Sequence, residues 1–102
     1  MTLNQRASAS IWRPYTQMQN AAETLPIVRA AGAVLFTEDG RTIIDAISSW
    51  WVINHGHAEP RIVAAIQAQA ARLEQAIFAE CAHEPAILLA EQLLAKLGGH
   101  FG

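Results

Sequence analysis

The sequence predicts an α/β fold class, in detail an α+β fragment: an extended arm, a small antiparallel meander and then two helices. Apolar runs separated by turn residues indicate the strands, and apolar residues three or four apart indicate the helices. The chain has 102 residues, 52% hydrophobic and 16% charged. This excludes a disordered tail and suggests one folding unit or part of one. So much apolar content in a short chain suggests that some apolar faces meet a partner.

Residues 1–25 show no sustained period of two or of about 3.6, and Pro14 interrupts them. We predict an extended amino-terminal arm here. The arm carries Trp12 and Tyr15, and aromatic side chains are unusual in a loop unless they dock on a surface. Residues 26–102 are then predicted to hold part of a small domain and the start of a large domain.

Three β-branched or apolar runs follow the arm, and turn residues separate them. The runs are 26–30, 33–37 and 42–45. Gly32 separates the first two, and Asp39-Gly40 lies between the second and third. An Asp-Gly pair between apolar runs favours a hairpin, because glycine accepts the positive φ of a tight turn. The pattern predicts an antiparallel meander.

Two helices are predicted in the second half. The first begins at Pro60, which suits a first turn, and its apolar spacing continues to about Phe78. The second begins near Glu84-Pro85 and ends at Gly98-Gly99.

Residues 46–57 fit neither a strand nor a helix and contain Ser48-Ser49-Trp50-Trp51. Two adjacent indoles can form a binding wall, or one can plug the core while the other covers a helix. Periodicity does not decide between these alternatives. Tyr15 is similarly open, because its phenol can orient a substrate or simply anchor the arm.

The remaining reactive side chains are predicted to be structural. His55-Gly56-His57 lacks the further ligands that a catalytic zinc needs, so we expect an imidazole bonded to local backbone and no metal site. We expect Gly56 to allow an unusual dihedral, His83 to cap or link, and Cys81 to be a partly buried thiol.

Charge and composition exclude several classes of function. The net charge of −2 and the pI near 6.0 give no basic surface for nucleic acid. The sequence shows no signal peptide, membrane-spanning run or phosphate-loop motif. A single cysteine suits a reducing cytoplasm. We therefore expect a cytoplasmic protein with no nucleic-acid or membrane partner.

Several of these motifs together resemble the start of the adenosylmethionine–8-amino-7-oxononanoate aminotransferases, which are class III aminotransferases of pyridoxal-phosphate fold type I. The marks of this match are 12–18 (WRPYTQM), 38–41 (EDGR), 45–51 (DAISSWW), 55–57 (HGH), 60–62 (PRI), 83–86 (HEPA) and 90–91 (AE). Among them, 14–18 (PYTQM) and 48–51 (SSWW) are the specific part, whereas the Asp-Gly hairpin and the His-Gly-His segment resemble general class III features.

The resemblance implies transfer of an amino group from S-adenosylmethionine to 8-amino-7-oxononanoate, giving 7,8-diaminononanoate in biotin biosynthesis. It implies pyridoxal 5'-phosphate as the carrier and a homodimer with its active sites at the subunit interface. By resemblance, Trp50 contacts substrate, Tyr15 supplies a hydroxyl that helps the site accept two differently shaped substrates, and Trp51 is a weaker candidate.

Two departures from the family pattern limit this expectation. Residues 78–82 (FAECA) replace a Gly-containing stretch, and the family's phosphate loop and Schiff-base lysine lie beyond Gly102. Lys96, the only lysine present, does not match that position. No catalytic or cofactor-binding residue is therefore assigned, and this chain alone is expected neither to bind the cofactor tightly nor to transaminate. The alternatives are a free-standing interaction module and a class III aminotransferase with another amino donor.

Overall fold

The computed structural model describes residues 1–98. The chain forms two compact units, of which the first is Met1–Val63 and the second begins at Ala64. The predicted boundary between an arm at residues 1–25 and a partial domain at residues 26–102 stays a prediction.

The first unit contains the predicted meander, a three-stranded antiparallel sheet in the order β1-β2-β3. The strands are β1 (Ile27–Ala31), β2 (Val34–Thr37) and β3 (Thr42–Ile44). Ala31 pairs with Val34 across a two-residue loop in which Gly32 has a φ of 54°. The Asp39-Gly40 turn joins β2 to β3, with a φ of 83° at Gly40. Both turns therefore use glycine where the backbone enters the left-handed region.

Side chains at the end of β2 stabilise the second turn. Thr37 is buried, and its hydroxyl accepts the Arg41 backbone N–H at 2.9 Å and donates to the Asp39 carboxylate. The Arg41 guanidinium donates to the same carboxylate at 2.9 Å. The Thr37 hydrogen bond, followed by Arg41, lowers the pKa of Asp39.

The prediction of an extended arm is wrong for its first residues, because Leu3–Ser10 form helix α1. Thr2 and Gln5 form a capping box, with the Gln5 backbone N–H donating to the Thr2 hydroxyl at 3.3 Å. The Glu38 carboxylate also accepts the Leu3 N–H at 3.1 Å. Leu3 is the only large apolar residue of α1, so the helix has no apolar face to produce a period in the sequence. A short 3₁₀ helix follows at Met18–Asn20.

A four-residue element, α2 (Ser48–Trp51), follows the sheet. Helix α3 (Pro60–Ala70) then begins at the predicted proline but ends earlier than predicted. At its start, the Glu59 carboxylate accepts the Ile62 N–H at 2.9 Å, which is the first cause of the lowered pKa of Glu59. At its end, the Gln69 side chain donates to the Leu73 carbonyl at 2.7 Å. The apolar spacing runs on past this point without a helix, which is why periodicity overestimated its length.

Helix α4 (Glu84–Lys96) confirms the second predicted helix, with Pro85 in its first turn. Gly98 follows the C-cap with a φ of 84°, as expected for a glycine stop. The second glycine of the predicted stop, Gly99, lies outside the described residues. No helix within residues 1–98 is long and apolar enough to cross a membrane.

No apolar side chain among residues 1–98 is buried. Large exposed apolar residues occur on the strands, loops and both long helices, for example Ile44, Ile47, Ile66, Phe78 and Leu89. Apolar surface on this scale is typical of an interaction surface.

Candidate functional site

The tryptophan pair lies in a turn with an unusual backbone, α2 (Ser48–Trp51). Its four residues have φ values of 49°, 45°, 64° and 67°, all in the left-handed region. Each such residue costs about 1–2 kcal/mol when it has a Cβ. The backbone closes the turn with bonds from Trp51 N–H to the Ile47 carbonyl at 2.8 Å and from Ile53 N–H to the Ser48 carbonyl at 3.0 Å. Interactions from outside the turn are needed to offset the remaining cost.

One carboxylate, that of Asp45, supplies such interactions. Its Oδ2 accepts the Ser49 hydroxyl at 2.7 Å and lies 2.8 Å from His57 Nε2. The side chains of Asp45 and His57 are only 5% and 14% exposed. Hydrogen bonds from the Ser49 backbone and hydroxyl, and then from His57, lower the pKa of Asp45 to about 2. An ionised carboxylate only accepts, so His57 Nε2 carries the hydrogen in this pair.

The prediction that a His-Gly-His imidazole bonds local backbone is therefore wrong for His57, whose ring bonds Asp45 instead. Asp45 comes 12 residues earlier in the chain, so spacing alone gave no signal for the pair. These side chains also differ from a nucleophilic triad, in which an imidazole separates the hydroxyl from the carboxylate. Here the carboxylate takes both partners, so His57 does not activate Ser49.

The His57 backbone connects this cluster to the sheet. Gly32 and His57 exchange two hydrogen bonds, of 2.9 Å and 2.8 Å, at the β1–β2 loop. Gly56 has a φ of 88°, and a Cβ on it would lie 3.2 Å from the Gly32 Cα. This confirms the predicted unusual dihedral of Gly56 and adds a steric reason for glycine.

The turn brings two of the three predicted substrate residues together. The rings of Tyr15 and Trp50 meet edge to face, with centroids 5.7 Å apart and an interplanar angle of 65°. Tyr15 is 92% exposed and Trp50 60% exposed, so neither ring is sealed in a core. Trp51, the next residue of the turn, is 72% exposed, and the alternative of an indole that plugs the core is not seen. The substrate roles of Tyr15, Trp50 and Trp51 stay predictions.

Local contacts hold the arm where Tyr15 meets Trp50. Tyr15 has a φ of 52°, directly after Pro14. The Thr16 hydroxyl donates to the Pro14 carbonyl at 2.8 Å, and the Arg13 guanidinium donates to the Ala22 carbonyl at 2.9 Å. The arm is thus folded back on itself around the aromatic residue.

A comparison with protein families identifies the family of this chain. The family profile described as Aminotransferase class-III matches residues 15–100. The chain belongs to the class III aminotransferases.

Two relatives of this class III aminotransferase chain carry the same name. This chain is 53% identical over 83 residues to the adenosylmethionine-8-amino-7-oxononanoate aminotransferase of Synechococcus elongatus, and the match covers 81% of this chain and 20% of the relative. It is 40% identical over 92 residues to the enzyme of that name from Corynebacterium glutamicum, covering 90% and 21%. The chain spans about one fifth of the length of the curated relatives it matches.

Solved class III structures share its fold. The crystal structure of adenosylmethionine-8-amino-7-oxononanoate aminotransferase from Methanocaldococcus jannaschii matches with a TM-score of 0.84 and 35% identity, covering 91% of this chain and 22% of that one. An omega transaminase from Pseudomonas jessenii in complex with PMP matches with a TM-score of 0.83 and 26% identity, covering 93% and 22%. These matches confirm both the family resemblance and the predicted fold class.

The second unit of the class III aminotransferase chain corrects the prediction for Cys81 and decides between the two predicted roles of His83. Cys81 is exposed rather than partly buried. His83 occupies the N-cap position of α4 but makes no side-chain capping bond. Its ring instead meets Phe78 edge to face at a centroid distance of 5.3 Å, which makes it a linking side chain.

Proposed function

We propose that this chain is the amino-terminal portion of an aminotransferase that moves an amino group from S-adenosylmethionine to 8-amino-7-oxononanoate in biotin biosynthesis. The product is 7,8-diaminononanoate. The observation that carries the proposal is the exposed edge-to-face contact of Tyr15 and Trp50, in a chain 53% identical to a relative of that name over 83 residues.

The chemistry of the two rings suits these substrates. The Trp50 indole offers a flat apolar wall to the aliphatic chain of 8-amino-7-oxononanoate. The Tyr15 phenol adds one directional polar contact beside that wall. Because both rings are accessible, a substrate can reach them without displacing packed side chains. Trp51 is proposed as a secondary contact.

Pyridoxal 5'-phosphate is the proposed cofactor, and it would supply the carrier for the amino group. The residues described here do not fit it, because Lys96, the only lysine of the 102 residues, lies at the end of α4 and does not match the family's Schiff-base position. No step is therefore assigned through the cofactor with these residues, and its binding is proposed for the whole enzyme. The 102 residues by themselves are proposed to be inactive.

We further propose that the whole enzyme is a cytoplasmic homodimer without nucleic-acid or membrane partners. Exposed apolar side chains in the first unit, such as Ile44, Ile47 and Val52, support burial against other polypeptide. The single cysteine, which is free, supports a reducing compartment.

The test uses the complete protein that carries this chain. We expect it to form 7,8-diaminononanoate with S-adenosylmethionine as donor, measured by product chromatography. Trp50→Ala should raise KM for 8-amino-7-oxononanoate roughly 10- to 100-fold. Trp12→Ala is the matched control, because it removes another exposed indole from the same unit. It should change KM less than about threefold.

The other outcomes decide between the remaining alternatives. Product formation with other amines but not with S-adenosylmethionine would show that the amino donor is a different amine and would favour an ordinary ω-aminotransferase. An equal loss of activity with every donor and acceptor in Trp50→Ala would argue against a specific contact between the Trp50 indole and the substrate. Absence of transamination in the complete, folded protein would favour an interaction module.

A further inference from the structure

We propose that Asp45 is a positioning residue for the aromatic wall: by binding Ser49 and His57 together, it locks the left-handed turn that holds the Trp50 indole against Tyr15. The inference rests on the proposed function for its kinetic consequence, but its structural consequence can be measured without any activity.

The first step of the argument is the strain of the turn. Four consecutive residues with side chains, Ser48–Trp51, have positive φ values. Such a conformation persists only where surrounding interactions determine it. If the turn relaxed toward ordinary φ values, the indole of Trp50 would leave its 5.7 Å contact with the Tyr15 ring.

The second step identifies the group that holds the turn. Ser49 lies inside it, directly before Trp50, and its hydroxyl donates to Asp45 at 2.7 Å. The carboxylate is shielded, with a 5% exposed side chain, so water competes weakly for its acceptor sites. Charged acceptors form the stronger class of hydrogen bond. The lowered pKa of Asp45 is consistent with this bonding.

The third step connects the turn to the β1–β2 hairpin. His57 donates to the same Asp45 oxygen at 2.8 Å and pairs through its backbone with Gly32 in the β1–β2 loop. A continuous series of contacts therefore runs from the hairpin through His57, Asp45 and Ser49 to Trp50. Asp45 is the member that joins the two halves.

The experiment is a double-mutant cycle in the complete protein. Asp45→Asn, which keeps the side-chain volume, should raise KM for 8-amino-7-oxononanoate about tenfold while kcat changes less than about threefold. In the Trp50→Ala background the same substitution should add less than about twofold, because the wall it positions is gone. Additive effects, or an equal loss of kcat in both backgrounds, would overturn the proposal.

A matched control separates positioning from a general loss of an aspartate. Asp39→Asn removes another carboxylate of this unit that is bonded both to a hydroxyl and to a side-chain N–H. It should leave KM within about twofold. Ser49→Ala serves as the second variant if Asp45→Asn does not fold, and it should reproduce part of the rise in KM. An unchanged KM in Ser49→Ala would then contradict the proposal.

A spectroscopic measurement distinguishes failure of this inference from failure of the proposed function. In a Trp12→Phe, Trp51→Phe protein, Trp50 is the only tryptophan in these 102 residues, and its near-ultraviolet circular dichroism reports its contact with Tyr15. Where the complete protein carries further tryptophans, the difference on adding Tyr15→Phe isolates this signal. Asp45→Ala, which removes the acceptor oxygen shared by Ser49 and His57, should abolish that difference, and Asp45→Asn, which keeps one neutral acceptor oxygen, should reduce it. If the Tyr15-dependent circular dichroism signal is lost in the Asp45 variant but the complete protein has no transaminase activity, only the proposed function is refuted. If the signal is unchanged in the Asp45 variant, the positioning role is refuted.

Discussion

Two turns in the first unit are each held by an aspartate, and they differ in what they use to reverse the chain. The Asp39 turn uses Gly40 for its positive φ and takes its bonds from Thr37 and Arg41, both within two residues of Asp39. The Asp45 turn places four residues with side chains in the same backbone region and takes one bond from His57, 12 residues away. The Asp39 side chain is 54% exposed and that of Asp45 is 5% exposed.

This difference separates a turn that only connects strands from a turn that presents side chains. Glycine at φ > 0 avoids strain but offers nothing to bind. Putting Trp50 in the same backbone region incurs strain and directs an indole outward toward Tyr15. We infer that shielding and long-range bonding at Asp45 compensate for that strain.

The largest effect that would sharpen the comparison is expected from adding a Cβ at Gly56. Gly56→Ala forces alanine to a φ of 88° and places its Cβ 3.2 Å from the Gly32 Cα, so we expect a loss of about 2–4 kcal/mol in unfolding free energy. Gly40→Ala, at a φ of 83° with nothing within 4 Å, should lose only about 1–2 kcal/mol. Urea denaturation of the complete protein measures both. Equal losses would show that the approach of the His57 loop to Gly32 is not a constraint.

The same two turns show what the sequence could and could not predict. The Asp39-Gly40 hairpin was predicted correctly because its residues and contacts are local. The start of α3 and both ends of α4 were also predicted, from proline, spacing and glycine. The Asp45 to His57 pair was missed because no periodic pattern records a contact between two loops.

The two errors in helix assignment have the same physical origin. Helix α1 has no apolar face, so only the capping pair Thr2 and Gln5 could have revealed it. Helix α3 ends where Gln69 bonds the Leu73 carbonyl, although apolar spacing continues to Ile77. Apolar periodicity reports an apolar face, and it fails where side-chain hydrogen bonds determine the backbone.

Acid should act on the shielded turn more than on the exposed one. The folded pKa of Asp45 is about 2, below its ordinary 3.8, so its stabilisation is fully present above pH 3.8 and is lost as the pH falls through 2. We expect the Tyr15–Trp50 circular dichroism signal to weaken between pH 4 and pH 2, and to show no such transition in Asp45→Asn. A transition retained in the variant would assign it to another carboxylate.

The smallest expected effect is the response of the two aspartates to salt. The Asp39–Arg41 pair is exposed, and at 1 M salt the Debye length of about 3 Å screens it. The pKa of Asp39 should therefore rise part of the way toward 3.8, because its first cause, the Thr37 hydrogen bond, persists. The pKa of Asp45 should stay near 2, since its side chain is only 5% exposed and its bonds to Ser49 and His57 persist. Carboxyl carbon NMR titrations at low and high salt measure both pKa values. If the pKa of Asp45 rose as much as that of Asp39, solvent ions would reach the Asp45 carboxylate. Shielding of that carboxylate would then not stabilise the turn that holds Trp50.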